Sequence, residues 1–546
     1  MRCFLYNFCS KNRITKNMIN RIENRLKIIY PMDSQTLIRK TEQKLIKLIF
    51  MAVLFMTIIV LLGRVSFYFC IAGAVLLYAQ GLNSIYSGYD RLEIKLLKQF
   101  EKFIQDIRFQ FRFDGMLEEA LQEAVQNSGY EMSLQGMKMI ESLNAWKKEE
   151  SVEVYEELAP NHLFLTFYAL CETVIFYGDK KIKGKSLFLT NIGYLKEDIN
   201  IEILKREKTR ALFMGLTGVT ILPVFSIKLI EQWGIHNMPE LRGFYLEIAG
   251  AITTVFITAV SLMIYHIIMK LKYPIDFDRH KSQWVEEFLD IQWINRLLMK
   301  RISKKYHYYY NREQMLKSIV YPYNVKELMA KQIMNGGITF IIMLTLLTSI
   351  GLFRISVMGV AYGGFLLGIF LTVCSSVIAY HFETLNIMMR KMMLEIHREE
   401  EVVRFQSIIL ILMYMDRVTV ELIIEWMEQF AVVFKNNLEM IADSLTYDGI
   451  QAFYKAKETI SFLPYERILD CFIVSDRIGI SEAFSDILSE RIYYIEKHKQ
   501  ENEVILNNKA VVAKTIAFIP LCLVIIAELI VPFVYYGLKQ LSAFKL

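Results

Sequence analysis

The sequence predicts an all-α polytopic membrane protein with about seven transmembrane helices and two cytoplasmic helical-bundle domains in tandem repeat. Three observations predict it. The 546 residues are 54% hydrophobic, with a mean hydropathy of +0.30, too apolar for a water-soluble chain of this length. The apolar residues gather in windows near 45–62, 65–82, 211–230, 244–270, 333–353, 355–380 and 513–537, each close to the roughly 20 helical residues that cross a hydrocarbon core. The chain also repeats itself.

The repeat is clearest where one arginine interrupts a long apolar run. "RVSFYFCIAGAVLL" begins at Arg64 and "RISVMGVAYGGFLL" at Arg354, sharing Arg, Ser, Gly and the paired Leu in one register. Upstream, "NRIENRLKIIYPMDSQTLIRK" (20–40) aligns with "NREQMLKSIVYPYNVKELMAK" (311–331). Downstream, "DGMLEEAL" (114–121) answers "DRVTVELI" (416–423), and "IEIL" (201–204) answers "NEVIL" (502–506). A repeat this long points to tandem duplication rather than to a solenoid.

The organisation follows in chain order. Residues 1–19 are a basic extension without a counterpart in the repeat, and 20–82 are an amphipathic lead-in and a transmembrane hairpin. Cytoplasmic bundle 1 occupies 83–210, and 211–270 hold the closing span of repeat 1 and an unpaired linking span. A basic lead-in (271–332), a second hairpin (333–380), bundle 2 (381–512) and a closing span with an external tail (513–546) complete repeat 2. Because the similarity reaches back to Asn20, before the alternative start at Met32, the longer N-terminus is read as genuine from there. A polar, basic start and the lack of a small-residue cleavage site after the first span argue against a cleaved leader.

Charge sets the orientation. Residues 1–47 carry eleven Lys/Arg against Glu23, Asp33 and Glu42, which places the N-terminus in the cytoplasm, and the basic segment 272–331 belongs on the same side. If each arginine-centred run were a single span, 83–210 would lie outside despite Arg91, Lys95 and Lys98 at one end and Lys205, Arg206, Lys208 and Arg210 at the other. Hairpins remove that conflict. They also remove the cost of an arginine at mid-membrane, about 2.5–3.5 kcal/mol. Arg64 and Arg354 are therefore read as structural anchors at external turns, snorkelling to water. Three crossings, one unpaired span and three more leave the N-terminus inside and the C-terminus outside.

Both cytoplasmic stretches carry apolar residues at three- and four-residue intervals, with breaks at "NSGY" (127–130), "LAPNH" (158–162), "YGD" (177–179), "YDG" (447–449), "FLP" (462–464) and "RIG" (477–479). About six short helices per region, in an antiparallel bundle, are expected. No catalytic, cofactor or metal-ligand pattern is present. The seven cysteines stand far apart and the eight histidines are scattered. "GDKKIKGKS" (178–186) has five residues between its glycines where a phosphate loop needs four. "KKYHYYYNR" (304–312), basic and aromatic, reads as a membrane-interface belt rather than a nucleic-acid site.

A membrane hairpin, a helical cytoplasmic bundle and a closing span, all duplicated, resemble the F-type platform proteins of type II secretion and type IV pili. Nearest in likeness is the TadB and TadC pair of Tad (Flp) pilus systems joined in one chain. The resemblance covers most of residues 20–540. Its local matches are Gly115 ahead of "LEEAL", and Gly479 in "IGISEAF" (478–484), whose counterpart is Gly178. Arg417 stands where the family would have a second bundle glycine, and the spans outnumber the three usual in secretion-system F proteins.

The resemblance implies a non-enzymatic scaffold in the cell (cytoplasmic) membrane. It further implies contact with a hexameric assembly ATPase, contact with pilin or pseudopilin subunits in the bilayer, self-association of the chain, and no cofactor or nucleic acid. The rival reading is a secondary transporter with parallel repeats. Within the closing spans, Glu528 in "LCLVIIAELIVPFVYY" and its approximate counterpart Lys228 in "ILPVFSIKLIEQW" are the ionisable candidates. They are expected either to pair across the repeat interface, to meet a pilin's charged end, or to snorkel outward.

Overall fold

The computed structural model describes residues 23–543 except 24–25, 28, 31–33, 62–66, 148–154, 156–158, 183, 247, 273–282, 320, 359–361, 414–417 and 461. The described residues are all-α apart from a two-residue antiparallel ladder that pairs Lys181 with Ser186 and Ile182 with Lys185. The chain divides into two compact units, one made of 1–212 and 399–508, the other of 213–398 and 509–546.

The first unit begins with α1 (Ser34–Leu61) and α2 (Phe67–Asp114). Along α2, Ile94, Leu97, Phe100, Phe103, Ile104, Ile107 and Phe111 are buried, a one-face helical spacing. The helix stops at Gly115, whose φ of 70° is open to glycine and whose N–H returns to the Phe111 carbonyl at 3.0 Å, a left-handed cap. Next come α3 (Leu117–Asn127) and α4 (Tyr130–Lys147). The Asn161 side chain then caps α5 (His162–Tyr177) by accepting the N–H groups of Leu163 and Phe164. Phe100 of α2 stacks on Phe164 of α5 at 4.0 Å and meets Phe167 edge-on at 5.7 Å, so the core of this bundle is aromatic. Within "GDKKIKGKS", Lys181–Ile182 and Lys185–Ser186 form the short ladder that precedes α6 (Leu187–Leu212).

In the second unit α7 (Leu216–Asn237) is joined through the short helix α8 (Arg242–Leu246) to α9 (Ile248–Lys272), which packs against it. There follow α10 (Gln283–Leu289), α11 (Gln292–Lys304), α12 (Tyr306–Ser318), α13 (Val325–Met358) and α14 (Tyr362–Leu412), whose residues from Glu399 on belong to the first unit.

The first unit's remaining part contains α15 (Val420–Gln429), α16 (Lys435–Asp448), α17 (Gln451–Thr459), α18 (Leu463–Ile478), the single turn α19 (Ile480–Ala483) and α20 (Ser485–Ala517) as far as Asn508. Phe434 stacks on Tyr465 at 4.2 Å. The Tyr465 hydroxyl donates to Asn437 at 2.8 Å, and the Asn437 amide donates to the Ala456 carbonyl at 3.2 Å, so this buried polar pair is satisfied. The chain ends with α21 (Ile519–Val524), a π-helical turn (Ile525–Ile530) and α22 (Val531–Ala543), all in the second unit.

Two helical stretches among the described residues, Leu187–Asn237 and Asn502–Val534, are long and apolar enough to cross a membrane. The boundaries read from the sequence at 82/83, 210/211, 380/381 and 512/513 all fall inside continuous helices, namely α2, α6, α14 and α20. A helix satisfies its own backbone in lipid and in water alike, so a membrane border gives it no reason to end. Arg354 requires a correction. Instead of occupying a turn after a span ending at 353, it lies within α13, which continues to Met358. "RISVM" has no breaker to stop it, and the first glycine is Gly359. Arg64, Arg417 and the 1–19 extension lie outside the described residues; α1 ends at Leu61 and α2 begins at Phe67 on either side of Arg64.

Candidate functional site

The strongest candidate is built around Glu528. Its segment, Ile525–Ile530, is a π-helical turn, a distortion that is often kept at functional positions. The side chain is only 1% exposed. One carboxylate oxygen accepts the Thr253 hydroxyl of α9 at 3.1 Å, and the same hydroxyl lies 2.9 Å from the Gly250 carbonyl. The backbone carbonyl of Glu528 accepts the Tyr245 hydroxyl of α8 at 2.5 Å. Tyr245 itself is tightly held. A Cβ on Gly250 would come within 2.6 Å of the Tyr245 carbonyl oxygen, and one on Gly234 within 3.0 Å of its ring. The two glycines thus let α7 and α9 close on the tyrosine that reaches the π turn.

Lys228 does not pair with Glu528. It binds Glu231, one turn along α7, at 2.6 Å, because a neighbour three residues away is reached at little entropic cost. The acidic partner was legible in "KLIEQW", directly after the lysine. The Glu528 carboxylate is turned toward α9, and its backbone carbonyl accepts from α8. Of the expectations for this pair, the structure replaces the charge pair across the repeats with a bond from the Thr253 hydroxyl to the Glu528 carboxylate. It is a polar latch between the closing helix and the unpaired α9.

The bundle glycines stand at helix ends. Gly178 (φ 76°, ψ 169°) and Gly479 (φ 87°, ψ 154°) cap α5 and α18, both of 16 residues, in one unusual conformation. Gly115 ends α2.

A second cluster, in the first unit, was not anticipated. Arg206 of α6 contacts Glu93 of α2 at 2.5 Å and Glu202 at 2.7 Å. The neighbouring Lys205 contacts Glu400 of α14 at 2.5 Å, and Lys208 bonds Glu503 of α20. The Lys205 and Lys208 pairs run from the 83–210 bundle to the 381–512 bundle, whereas the Arg206 pairs stay within the first. Burial alone would lower the Lys205 pKa, but the Glu202 and Glu400 carboxylates outweigh it and hold the ammonium above its usual range. Burial alone would raise Glu202, yet Lys205 and Arg206 keep it below the usual carboxylate range.

The second unit has its own buried carboxylate, Glu383 of α14. It accepts the Tyr321 hydroxyl at 2.9 Å, the Asn386 amide at 3.2 Å and the Asn335 amide at 3.4 Å, and pairs with Lys331 at 3.1 Å. Glu93 and Glu383 follow Arg64 and Arg354 at the same sequence distance. One position of the repeat therefore carries a buried carboxylate twice, with different partners. The shared register was the sequence signal for both.

No group of three or more His, Cys, Asp or Glu among the described residues is placed to hold a metal ion. No family model matches the chain, and neither a curated protein nor a solved structure matches it.

Proposed function

We propose that the chain is an inner-membrane platform protein of a type II secretion or type IV (Tad/Flp-like) pilus assembly machine, coupling a cytoplasmic assembly ATPase to the extrusion of pilin subunits. On this reading it crosses the membrane seven times, with the N-terminus in the cytoplasm and the C-terminus outside, and it acts as a scaffold rather than as an enzyme. The observation that carries the proposal is the pair of helical bundles, one per repeat, joined by Lys205–Glu400 and Lys208–Glu503 into one compact unit. In the first repeat the bundle's spine, α2, begins as the apolar arm after Arg64. A load applied to the bundle is then transmitted along one rigid helix.

Two measurements test it. Cysteine at the exposed His236 reacts with an impermeant thiol reagent added outside cells, while cysteine at Lys304 or Lys455 does not; external labelling of Lys455 would put a bundle on the wrong side and end the platform reading. The full chain in detergent is also expected to retain a secretion-type assembly ATPase from the same cell. Loss of the gene abolishes surface filaments or secretion. Filaments and secretion unchanged by that loss, together with uptake of a small solute by the reconstituted chain, would favour the transporter instead.

A further inference from the structure

The segment α11–α12 exposes a face that the scaffold role leaves unused. Ile294 and Leu298 of α11, and Tyr309 and Leu316 of α12, are buried, and both helices pack against α13. The inward side is thus already covered. The opposite side of α11 is not polar, as a solvated face would be. Trp293 is 64% exposed and Leu297 is 57% exposed, and at 100° per residue they share one stripe with Arg296, Lys300 and Lys304.

α12 continues this composition, with Tyr306 and Tyr310 exposed and stacked at 6.1 Å. Arg296, Lys300, Arg301, Lys304 and Lys305 have no ion-pair partner among the described residues, whereas Lys317 leans on Glu313 at 3.8 Å. Exposed aromatic and aliphatic side chains interleaved with unpaired cations are the signature of a helix lying in a membrane interface. α13, against which the segment packs, exposes the apolar side chains of Ile338, Phe340, Ile341 and Leu344.

We propose that this face is an in-plane foot that binds the anionic headgroups of the cytoplasmic leaflet, with Trp293 and Leu297 entering the headgroup–acyl boundary and Arg296, Lys300, Arg301 and Lys304 holding lipid phosphates. The proposal rests on the membrane reading alone and not on the pilus machine. Charge complementarity selects the occupant. Clustered Lys/Arg beside a bilayer attract acidic lipid, and the interleaved apolar groups have a place in lipid that an acidic soluble partner would not supply.

The test uses the full chain reconstituted in phosphatidylcholine vesicles with spin-labelled phosphatidylglycerol or spin-labelled phosphatidylcholine. Wild type is expected to prefer the anionic probe by about threefold or more, and the Arg296→Gln/Lys300→Gln/Arg301→Gln/Lys304→Gln variant to fall to near parity at unchanged helicity. Brominated phosphatidylglycerol is expected to quench a tryptophan signal that Trp293→Phe removes. Unchanged anionic preference in the fourfold variant would overturn the proposal. So would selective binding of single-stranded RNA by the wild-type chain without any lipid preference, which would assign the face to nucleic acid. A chain that does not float with vesicles at all would instead remove the membrane reading on which the foot depends.

Discussion

The Lys205 ammonium of α6 stands 2.5 Å from the Glu400 carboxylate of α14, joining residues 195 positions apart on opposite repeats. Both side chains are mostly covered, 28% and 19% exposed. Removing one partner of a fully buried pair costs about 3–5 kcal/mol, and the partial exposure here reduces that to about 1–2 kcal/mol. Lys205→Met is therefore expected to lower the unfolding midpoint of the full chain in detergent, and Lys205→Met/Glu400→Met to recover part of the loss. If the double variant simply summed the two single effects, the pair would not couple the bundles.

Gly178 and Gly479 occupy φ of 76° and 87° with strongly extended ψ, a region that is essentially glycine's own. A Cβ at either position would meet nothing within 4 Å, so any penalty is backbone strain rather than crowding. Gly178→Ala and Gly479→Ala should each destabilise by about 1–3 kcal/mol. Gly193→Ala, inside α6 and equally uncrowded, should instead stabilise by about 0.5–1 kcal/mol. Equal responses at all three positions would contradict this account.

Helix ends were the legible part of this fold. Each break read from "NSGY", "LAPNH", "YGD", "YDG", "FLP" and "RIG" coincides with the end or start of a helix, because Gly, Pro and Asn act locally through φ and capping. The expected borders at 82/83, 210/211, 380/381 and 512/513 match no helix end, since continuous helices run through all four. Side-chain partners at long range were less legible still. Lys228 and Glu528 are at similar places in their repeats, yet a glutamate one turn from Lys228 captures it, and Tyr245, in the short helix α8 for which the repeat offers no counterpart, reaches the π turn at Glu528. Pattern matching between repeats finds what duplication kept and misses what has since diverged.

Glu383 gives a pH signature. Burial alone would raise its pKa, but Lys331 and the hydrogen bonds from Asn386 and Tyr321 keep it below the usual carboxylate range. A lowered folded pKa means that the stabilisation is complete above the unfolded value, near 4.3, and is lost as the pH falls through the folded one. Glu383→Gln should thus be less stable than wild type at pH 7, with the gap closing as the pH falls below about 4. Thermal unfolding of both proteins across that range measures it. A gap that stays constant with pH would show that the carboxylate charge contributes nothing.

At Glu528 the geometry separates a latch within the chain from a charge pair. On the proposed membrane reading, hydrogen bonds between helices average about 0.6 kcal/mol and reach about 1.7 kcal/mol, so Thr253→Val and Tyr245→Phe should each cost an amount in that interval. Gly250→Ala should cost more than Tyr245→Phe. The added methyl would sit 2.6 Å from a backbone oxygen and 2.9 Å from a backbone Cα of Tyr245, atoms that cannot rotate away. A double-mutant cycle then identifies the partner. Glu528→Met, which removes the acceptor, combined with Thr253→Val should show coupling, because the Thr253 hydroxyl donates to the Glu528 carboxylate at 3.1 Å. Glu528→Gln combined with Lys228→Gln should be additive within about 0.5 kcal/mol, since Lys228 is engaged by Glu231 at 2.6 Å. Strong coupling to Lys228 and none to Thr253 would restore the charge pair across the repeats and remove the latch.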